Sequence, residues 1–400
     1  MADLIIRAGN SDAALIERVL GGRLDQRPHR ITVDAHVAAT TPRISAAARQ
    51  AGAPLLVDPQ THYLQALQHR DDPWAQLPFA DWQAQAVVDL LDAARQDELA
   101  AKAVSFQLEH GASAVIPPYV HIERADNGWM AVQIGLWRAT RRFLDRRQIR
   151  MPVVAVLALG WPELDRAAWP GGLRPLQTCL RHELRPTDVA LAASKVDQGV
   201  HPAERLSGLI AVVRQLRRHW PVLAWQQGTL GEAAVAAGAA GYECGIGWRE
   251  RCDLLTQMRA HTNAPLPGPR GPRPVFITAL GQSLPKRSVE LLMRDPRVAA
   301  QLTCMDAGCC PAGQQALLQD ARAHALAARR RSLDLLTRPA QPAWRWNVLA
   351  QDAAAGLALA ARINALAKQV PGLTRVDTGA LAATMALADH RRQTLRRRAA

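Results

Sequence analysis

Six polar residues in this chain stand at the ends of apolar, strand-like runs: Asp34, Asp58, His121, Lys195, Asp197 and Glu243. If the runs are parallel strands of one barrel, all six converge on a single rim. Two carboxylates facing one substrate allow a nucleophile and a general acid/base to divide the work. Glu243 is the strongest candidate. It sits between Tyr242 and Cys244 in the run GYECGI, and a carboxylate in a buried strand is costly unless used or paired. Asp58, Asp197 and Lys195 are the other catalytic candidates. Each has a plainer reading: Asp58 precedes Pro59 and can cap a turn, and Lys195 with Asp197 can form a rim ion pair of little weight.

A second group has the residue types of a binding surface. Gly245 and Gly247 follow the Glu243 run, and Gly281 follows another apolar run at 274–280. Turns of this kind after the last barrel strands offer backbone N–H groups to a phosphate. Arg249 and Lys286 would add charge, and Asp34, His62 and His121 complete the candidate substrate-binding set. Tight turns alone also call for glycine.

A third group is suited to metal. Cys304, Cys309 and Cys310 lie within one short stretch, and His324 follows on a predicted helix. Three thiolates and an imidazole satisfy the tetrahedral preference of Zn2+ in a structural site. Cys309 and Cys310 are adjacent, so they need a turn rather than a helix to ligate together. The plain alternative is small buried thiols and one exposed histidine.

The elements that must position these groups are read from periodicity. Apolar runs at 31–37, 54–58, 114–120, 151–159, 188–196, 222–226, 241–246 and 274–280 predict eight strands, with helical stretches between them. Eight strand–helix units over about 250 residues is the size of a TIM (β/α)8 barrel. A doubly wound open sheet is the runner-up. The expected organisation is a barrel with N-terminal extension and helical inserts over 1–302. A cysteine cluster and basic helix follow at 303–338, then a helical extension with a basic tail at 339–400.

Charge bounds the partners. The 400 residues carry a formal net charge of +14, with Arg greatly outnumbering Lys. Such a surplus points to a polyanion, nucleic acid first, or to the composition of a GC-rich genome. The basic stretches 138–150, 214–219, 322–331 and 391–398 are the candidate footprint, with Trp344 and Trp346 as stacking residues. No run of 18 apolar residues is present and the N-terminus lacks a signal-peptide pattern. The expectation is a cytoplasmic protein with reduced thiols, without membrane association, acting as a homodimer or as a subunit of a larger complex.

The segment AAGYECGIG resembles the part of the tRNA-guanine transglycosylases that carries a nucleophilic aspartate in a Phe-Asp-Cys context. Tyr242-Glu243-Cys244 occupies that place, and GTLGEAAVAAG is similar to the preceding turn and helix. Val57-Asp58 lies early in the barrel, where the family keeps a second catalytic aspartate. The family's Asp-Ser-Gly-Gly-Phe motif is Asp58-Pro59-Gln60-Thr61-His62 here. Cys304, Cys309, Cys310 and His324 fall where the family binds structural zinc. The resemblance implies exchange of guanine for a 7-deazapurine on tRNA or DNA. Glu243 would then be the nucleophile and Asp58 the proton shuttle. Two rivals stand beside it: a non-catalytic nucleic-acid-binding barrel in a mobile-element or defence complex, and a phosphate-binding small-molecule barrel enzyme using Lys195.

Overall fold

The computed structural model describes residues 2–22, 27–167, 172–262, 271–339 and 341–399. Eight parallel strands run in chain order around a ring. They are β1 (Asp3–Ala8), β2 (Arg30–Asp34), β3 (Leu55–Asp58), β4 (His121–Ile122), β5 (Val154–Gly160), β6 (Asp188–Ser194), β7 (Val222–Ala224) and β8 (Gly241–Gly245). Neighbours are hydrogen-bonded from β3 through β1 and β8 to β4. The pairing of β1 with both β2 and β8 closes the ring at the chain's beginning. Between β3 and β4 no strand ladder forms. Ser113 donates its N–H to Leu55 O at 2.8 Å, and Val115 bridges to Val153. These links bring β3 and β5 together on the strand-start side. The architecture is therefore the expected (β/α)8 barrel, with a seam at β3–β4.

The strand numbering expected from sequence is off by one. The segment 3–8 is the first barrel strand, not part of an extension. The run at 274–280 is not a barrel strand: β9 (Val275–Ile277) and β10 (Gln282–Leu284) form an antiparallel hairpin outside the ring. The cause is a similar apolar content. DLIIRA carries a charge that disguises a buried strand, whereas PVFITAL reads as one and packs elsewhere. The run at 114–120 contributes one bridge, and regular pairing resumes only at His121–Ile122. The Pro/Gly-rich loop expected at 263–274 lies mostly outside the described residues.

Alternation decides what faces the barrel axis. Leu4 and Ile6 belong to the large core between strands and helices, while Ile5 packs inside the ring with Leu56, Ile116, Val154, Leu223 and Trp225. Two residues on from Ile5, Arg7 must also point inward. The same rule sends Asp58 inward two residues after Leu56, and Glu243 inward between the outward-packed Tyr242 and Cys244.

A second core lies beside the barrel. It joins the hairpin to the helices Lys286–Leu292 and Pro296–Leu302 and to part of the helix Pro342–Leu366. Among the described residues no helix is long and apolar enough to cross a membrane.

Candidate active site and metal centre

The centre of the barrel mouth is an arginine that the sequence reading did not single out. The Arg7 guanidinium gathers three carboxylates from three other strands. Nη2 donates to Asp58 Oδ2 at 2.7 Å and to Glu243 Oε2 at 3.0 Å, Nε reaches Glu243 Oε2 at 3.2 Å, and Nη1 binds Asp34. Arg249, from the loop after β8, pairs with the other oxygen of Asp34. Trp225 lies under the Arg7 guanidinium, 5.3 Å from it. Arg7, Asp34, Asp58 and Glu243 are all buried, the last two at 0% exposure. Arg7 is held in its charged form by Glu243 and Asp58 against the opposing effect of burial. Burial pushes the Glu243 carboxyl above its ordinary range; Arg7 pulls it back and Asp58 pushes it further up.

The carboxylates are also held by backbone and phenol donors. Asp58 Oδ1 accepts from Gln60 N–H at 3.0 Å and from Tyr119 O–H at 3.0 Å. Glu243 Oε2 accepts from Gln226 N–H at 3.2 Å. Gln60 and Gln226 both have left-handed backbones, at φ 50° and 55°. Lys195 and Arg249 do as well, at φ 62° and 55°. All four follow the C-terminal ends of barrel strands. Sparsely populated conformations of this kind collect where surrounding structure enforces them for a purpose. Close by, His62 stacks on Tyr119 at 5.3 Å, and both of its ring nitrogens are buried without a hydrogen-bond partner. Burial, first, and the charges of His121, His261 and Arg7 keep that imidazole neutral, well below its usual value.

The other expected residues stand apart from this cluster. Asp197 accepts from Thr229 O–H at 2.9 Å and pairs with Arg251 at 3.1 Å. Lys195 Nζ lies 3.8 Å from Asp253. His121 Nε2 lies 3.4 Å from Glu123, and burial takes its pKa down to about 4. These groups lie on the β4–β6 side, with His121 and Asp197 buried and Lys195 partly exposed. Gly245 is required by its turn, since a Cβ there would collide with the Trp248 carbonyl. Gly247 has φ 76° and backs onto Pro274. Gly281 turns the hairpin and Lys286 opens the next helix, so neither belongs to the ring. The missed residue, Arg7, carried a legible signal: a charge directly after the apolar Leu4-Ile5-Ile6 poses the same question as the lone charge in GYECG.

The metal-type residues converge. One ligand atom each from Cys304, Cys309, Cys310 and His324 lies within 4.8 Å of every other. Cys309 Sγ and Cys310 Sγ are 3.7 Å apart, and they lie 3.3 and 3.4 Å from His324 Nδ1. Those are edge lengths of a tetrahedron with metal–sulfur bonds of about 2.3 Å and metal–nitrogen bonds of about 2.0 Å. A turn closed by Cys310 N–H on Asp306 O at 2.7 Å lets adjacent cysteines face one point. His324 Nε2 donates to Phe276 O at 3.0 Å, which fixes the tautomer and leaves Nδ1 free to ligate. Burial, then the neighbouring thiols, push Cys309 and Cys310 up, the latter to about 11. A bound cation reverses that effect and holds thiolates. The residues present thus fit a metal ion.

The metal helix also reaches the mouth. Arg329 lies on the helix Ala321–Thr337, one and a half turns from His324. It is 2% exposed and donates to Gly228 O at 2.6 Å and to Glu250 at 2.8 Å. Its guanidinium covers the Phe276 ring at 4.1 Å. Glu250 also accepts from Ser283 N–H and O–H on the hairpin. One arginine thus ties the metal helix to the hairpin and to the loops that carry Gln226 and Arg249.

Arg329 also opposes the titration of Glu232, whose carboxyl burial pushes from 4.5 up to about 7. Its folded pKa is raised, so the protonated form is favoured in the fold. Its stabilising contribution is complete below about 4.5 and lost as pH rises through 7. Glu232→Gln is accordingly expected to unfold at higher temperature than the parent at pH 8, by on the order of 1 kcal/mol, and to match it near pH 4.5. Equal gains at both pH values in thermal melts would show that protonation is not the cause.

No protein family matches the sequence, and no curated protein is similar to it. Among solved structures, the chain is similar to a protein assigned as a dihydrodipicolinate synthetase from Pseudomonas aeruginosa. The TM-score is 0.36 and the identity 13%, over 98% of this chain and 99% of that one. It is also similar to the carboxyl transferase domain of Rhizobium etli pyruvate carboxylase, a tyrosine-to-alanine variant with pyruvate. There the TM-score is 0.38 and the identity 10%, over 97% of this chain and 60% of that one. At these levels the likenesses bear on neither activity nor substrate.

Proposed function

We propose that the chain is a barrel enzyme of the base-exchange type, acting on a nucleotide within tRNA or DNA. The observation that carries the reading is the meeting of Glu243 and Asp58 on one nitrogen of Arg7, from strands 185 residues apart in sequence. In this reading a Glu243 oxygen attacks the anomeric carbon. The glycosidic bond breaks, and the leaving base takes a proton from Asp58, which must enter the cycle in its acid form. A 7-deazapurine then gives its N–H proton to Asp58 and displaces Glu243 from the sugar, restoring both carboxyls. The neutral His62, the stacked Tyr119, and the Gln60 and Gln226 side chains, each with a buried amide atom that lacks a partner, supply a polar, aromatic lining suited to a flat heterocycle. The Cys/His centre is inferred to hold Zn2+ in a structural role, because a set of three thiolates and one imidazole without an open position is characteristic of such sites.

The test is incorporation of labelled guanine or a 7-deazaguanine into tRNA and DNA by the purified protein. Glu243→Gln should abolish it, and Asp58→Asn should reduce it by about 100-fold or more. Unchanged labelling in Glu243→Gln removes the assignment. One observation favours a second reading: both carboxylates are at 0% exposure and bound to arginine. A purely structural ion cluster has that character, and the chain would then bind nucleic acid without altering it. Absence of exchange on every substrate, with salt-sensitive binding intact in Glu243→Gln, selects that alternative.

A further inference from the structure

The side of the barrel opposite the acid cluster carries charge of the other sign. The helix Pro202–Leu216 leads into the start of β7, so its last turn lies at the strand-start face. The helix Gly379–Ala399 packs along it. Arg214 lies in the last turn of the first helix and Arg217 caps its end, and Arg391 on the second helix acts on Arg214 through its charge. Among the described residues none of the three is ion-paired with a carboxylate. Arg217 gives Nη1 to the Ala237 carbonyl at 2.9 Å, and Arg391 Nε is buried without a partner. Burial, then Arg391 and Arg217, pull Arg214 down to about 10. Like charges held this close, without a counter-charge, raise the energy of the free protein and lower that of a complex with an anion. Arg218 and Arg181 extend the patch, with Arg181 Nη2 2.5 Å from His219 Nε2.

The next residue on the second helix, Arg392, lines a groove. It has a volume of about 510 Å³ and is lined by Pro339, Trp344, Asn347, Val348, Gln351 and Arg392. Trp344 is 58% exposed at the first turn of the helix Pro342–Leu366, whereas Trp346 is buried. Arg392 has one carboxylate neighbour, Asp389 at 3.5 Å on the same helix.

We propose that Arg214, Arg217, Arg391 and Arg392, with Trp344, form a docking surface for single-stranded nucleic acid on the face away from the barrel mouth. The arginines take phosphates and the indole takes a base. Unpaired cations supply the sequence-independent part of such binding, and an exposed aromatic ring beside them separates a single strand from a duplex or an anionic membrane. The surface extends the nucleic-acid partner of the reading above and does not depend on the exchange chemistry.

The test uses the full chain and fluorescein-labelled dT20, followed by anisotropy at several salt concentrations. Reversing charge in the double variant Arg214→Glu/Arg391→Glu should weaken binding by about tenfold or more. It should also flatten the dependence of log K on log salt by about 1.4, from about 0.7 per phosphate contact. The double variant should melt close to the parent, because repulsion among the arginines is exchanged for repulsion between two glutamates that Arg217 offsets. Trp344→Ala should weaken dT20 binding by about tenfold, and Trp344→Phe should keep most of it. Glu243→Gln should bind like the parent, which separates failure of this surface from failure of base exchange. Unchanged affinity in the charge-reversed variant overturns the proposal. So does a duplex, or vesicles containing phosphatidylserine, competing as well as dT20 with no effect of Trp344→Ala.

Discussion

Arg7→Met is expected to lose about 3–5 kcal/mol of stability, enough to unfold much of the chain at 37 °C. The substitution keeps an unbranched stem and removes the guanidinium with its charge. It leaves Asp34, Asp58 and Glu243 buried together, with Arg249 alone to oppose them. Three carboxyls in one desolvated space cannot all remain ionised. Arg7→Lys should recover only part of the loss, since an ammonium cannot reach carboxylates on both sides as a planar fork does. The decisive control removes the charges on both sides. Arg7→Met combined with Asp58→Asn and Glu243→Gln should restore most of the urea midpoint, because replacing a whole buried ion cluster is far less costly than breaking one. A single Arg7→Met variant that melts within 2 °C of the parent would show that water reaches the cluster. In that case the mouth is open and the carboxyls are free to meet a substrate.

Removing a metal held by the Cys/His centre is expected to give the second large effect. The Cys/His point lies where the hairpin, the turn after Thr303 and the helix Ala321–Thr337 meet, and Cys310 belongs to the second core itself. Binding free energy at such a site is folding free energy. Chelation with a strong zinc ligand, or Cys310→Ser, is expected to destabilise that core by on the order of 5 kcal/mol or more. New protease cleavage should appear within 282–320, while β5 and β6, buried on both faces, stay protected. Through Arg329 the loosening should reach the loops at 226–231 and 245–252. Amide exchange there should rise in the chelated protein and equally in Arg329→Met with metal retained. Purified protein with no bound metal and no response to chelator would remove the centre altogether.

Much of the ring was legible because strand and helix periods differ and the apolar runs are well spaced. The acids at 58 and 243 were legible for a simple reason: a charge inside an apolar run asks for a partner. The same rule applied to position 7 names the partner, yet the run DLIIRA, ahead of the first long apolar run, reads as an extension. The hairpin at 275–284 reads as a barrel strand because composition says that a segment is buried but not against what. It packs into the second core, which is assembled from residues as far along the chain as Val376. The cysteine–histidine point was recognisable from residue type alone, since few other uses bring three thiols and an imidazole so close. Left-handed Gln60, Gln226, Lys195 and Arg249 had no signal, because nothing in a glutamine or a lysine announces a positive φ.

The pairing of β1 with β8 places Arg7 and Glu243 236 positions apart along the chain. During synthesis, at about 5–20 residues per second, the first strand leaves the ribosome with one edge unmatched and a cation facing an unfinished interior. It waits on the order of ten seconds or more for the strand that will lie beside it. Closure is therefore a late, non-local event in the life of the nascent polypeptide, and a chaperone that shields β1 would cover its open edge until β8 arrives.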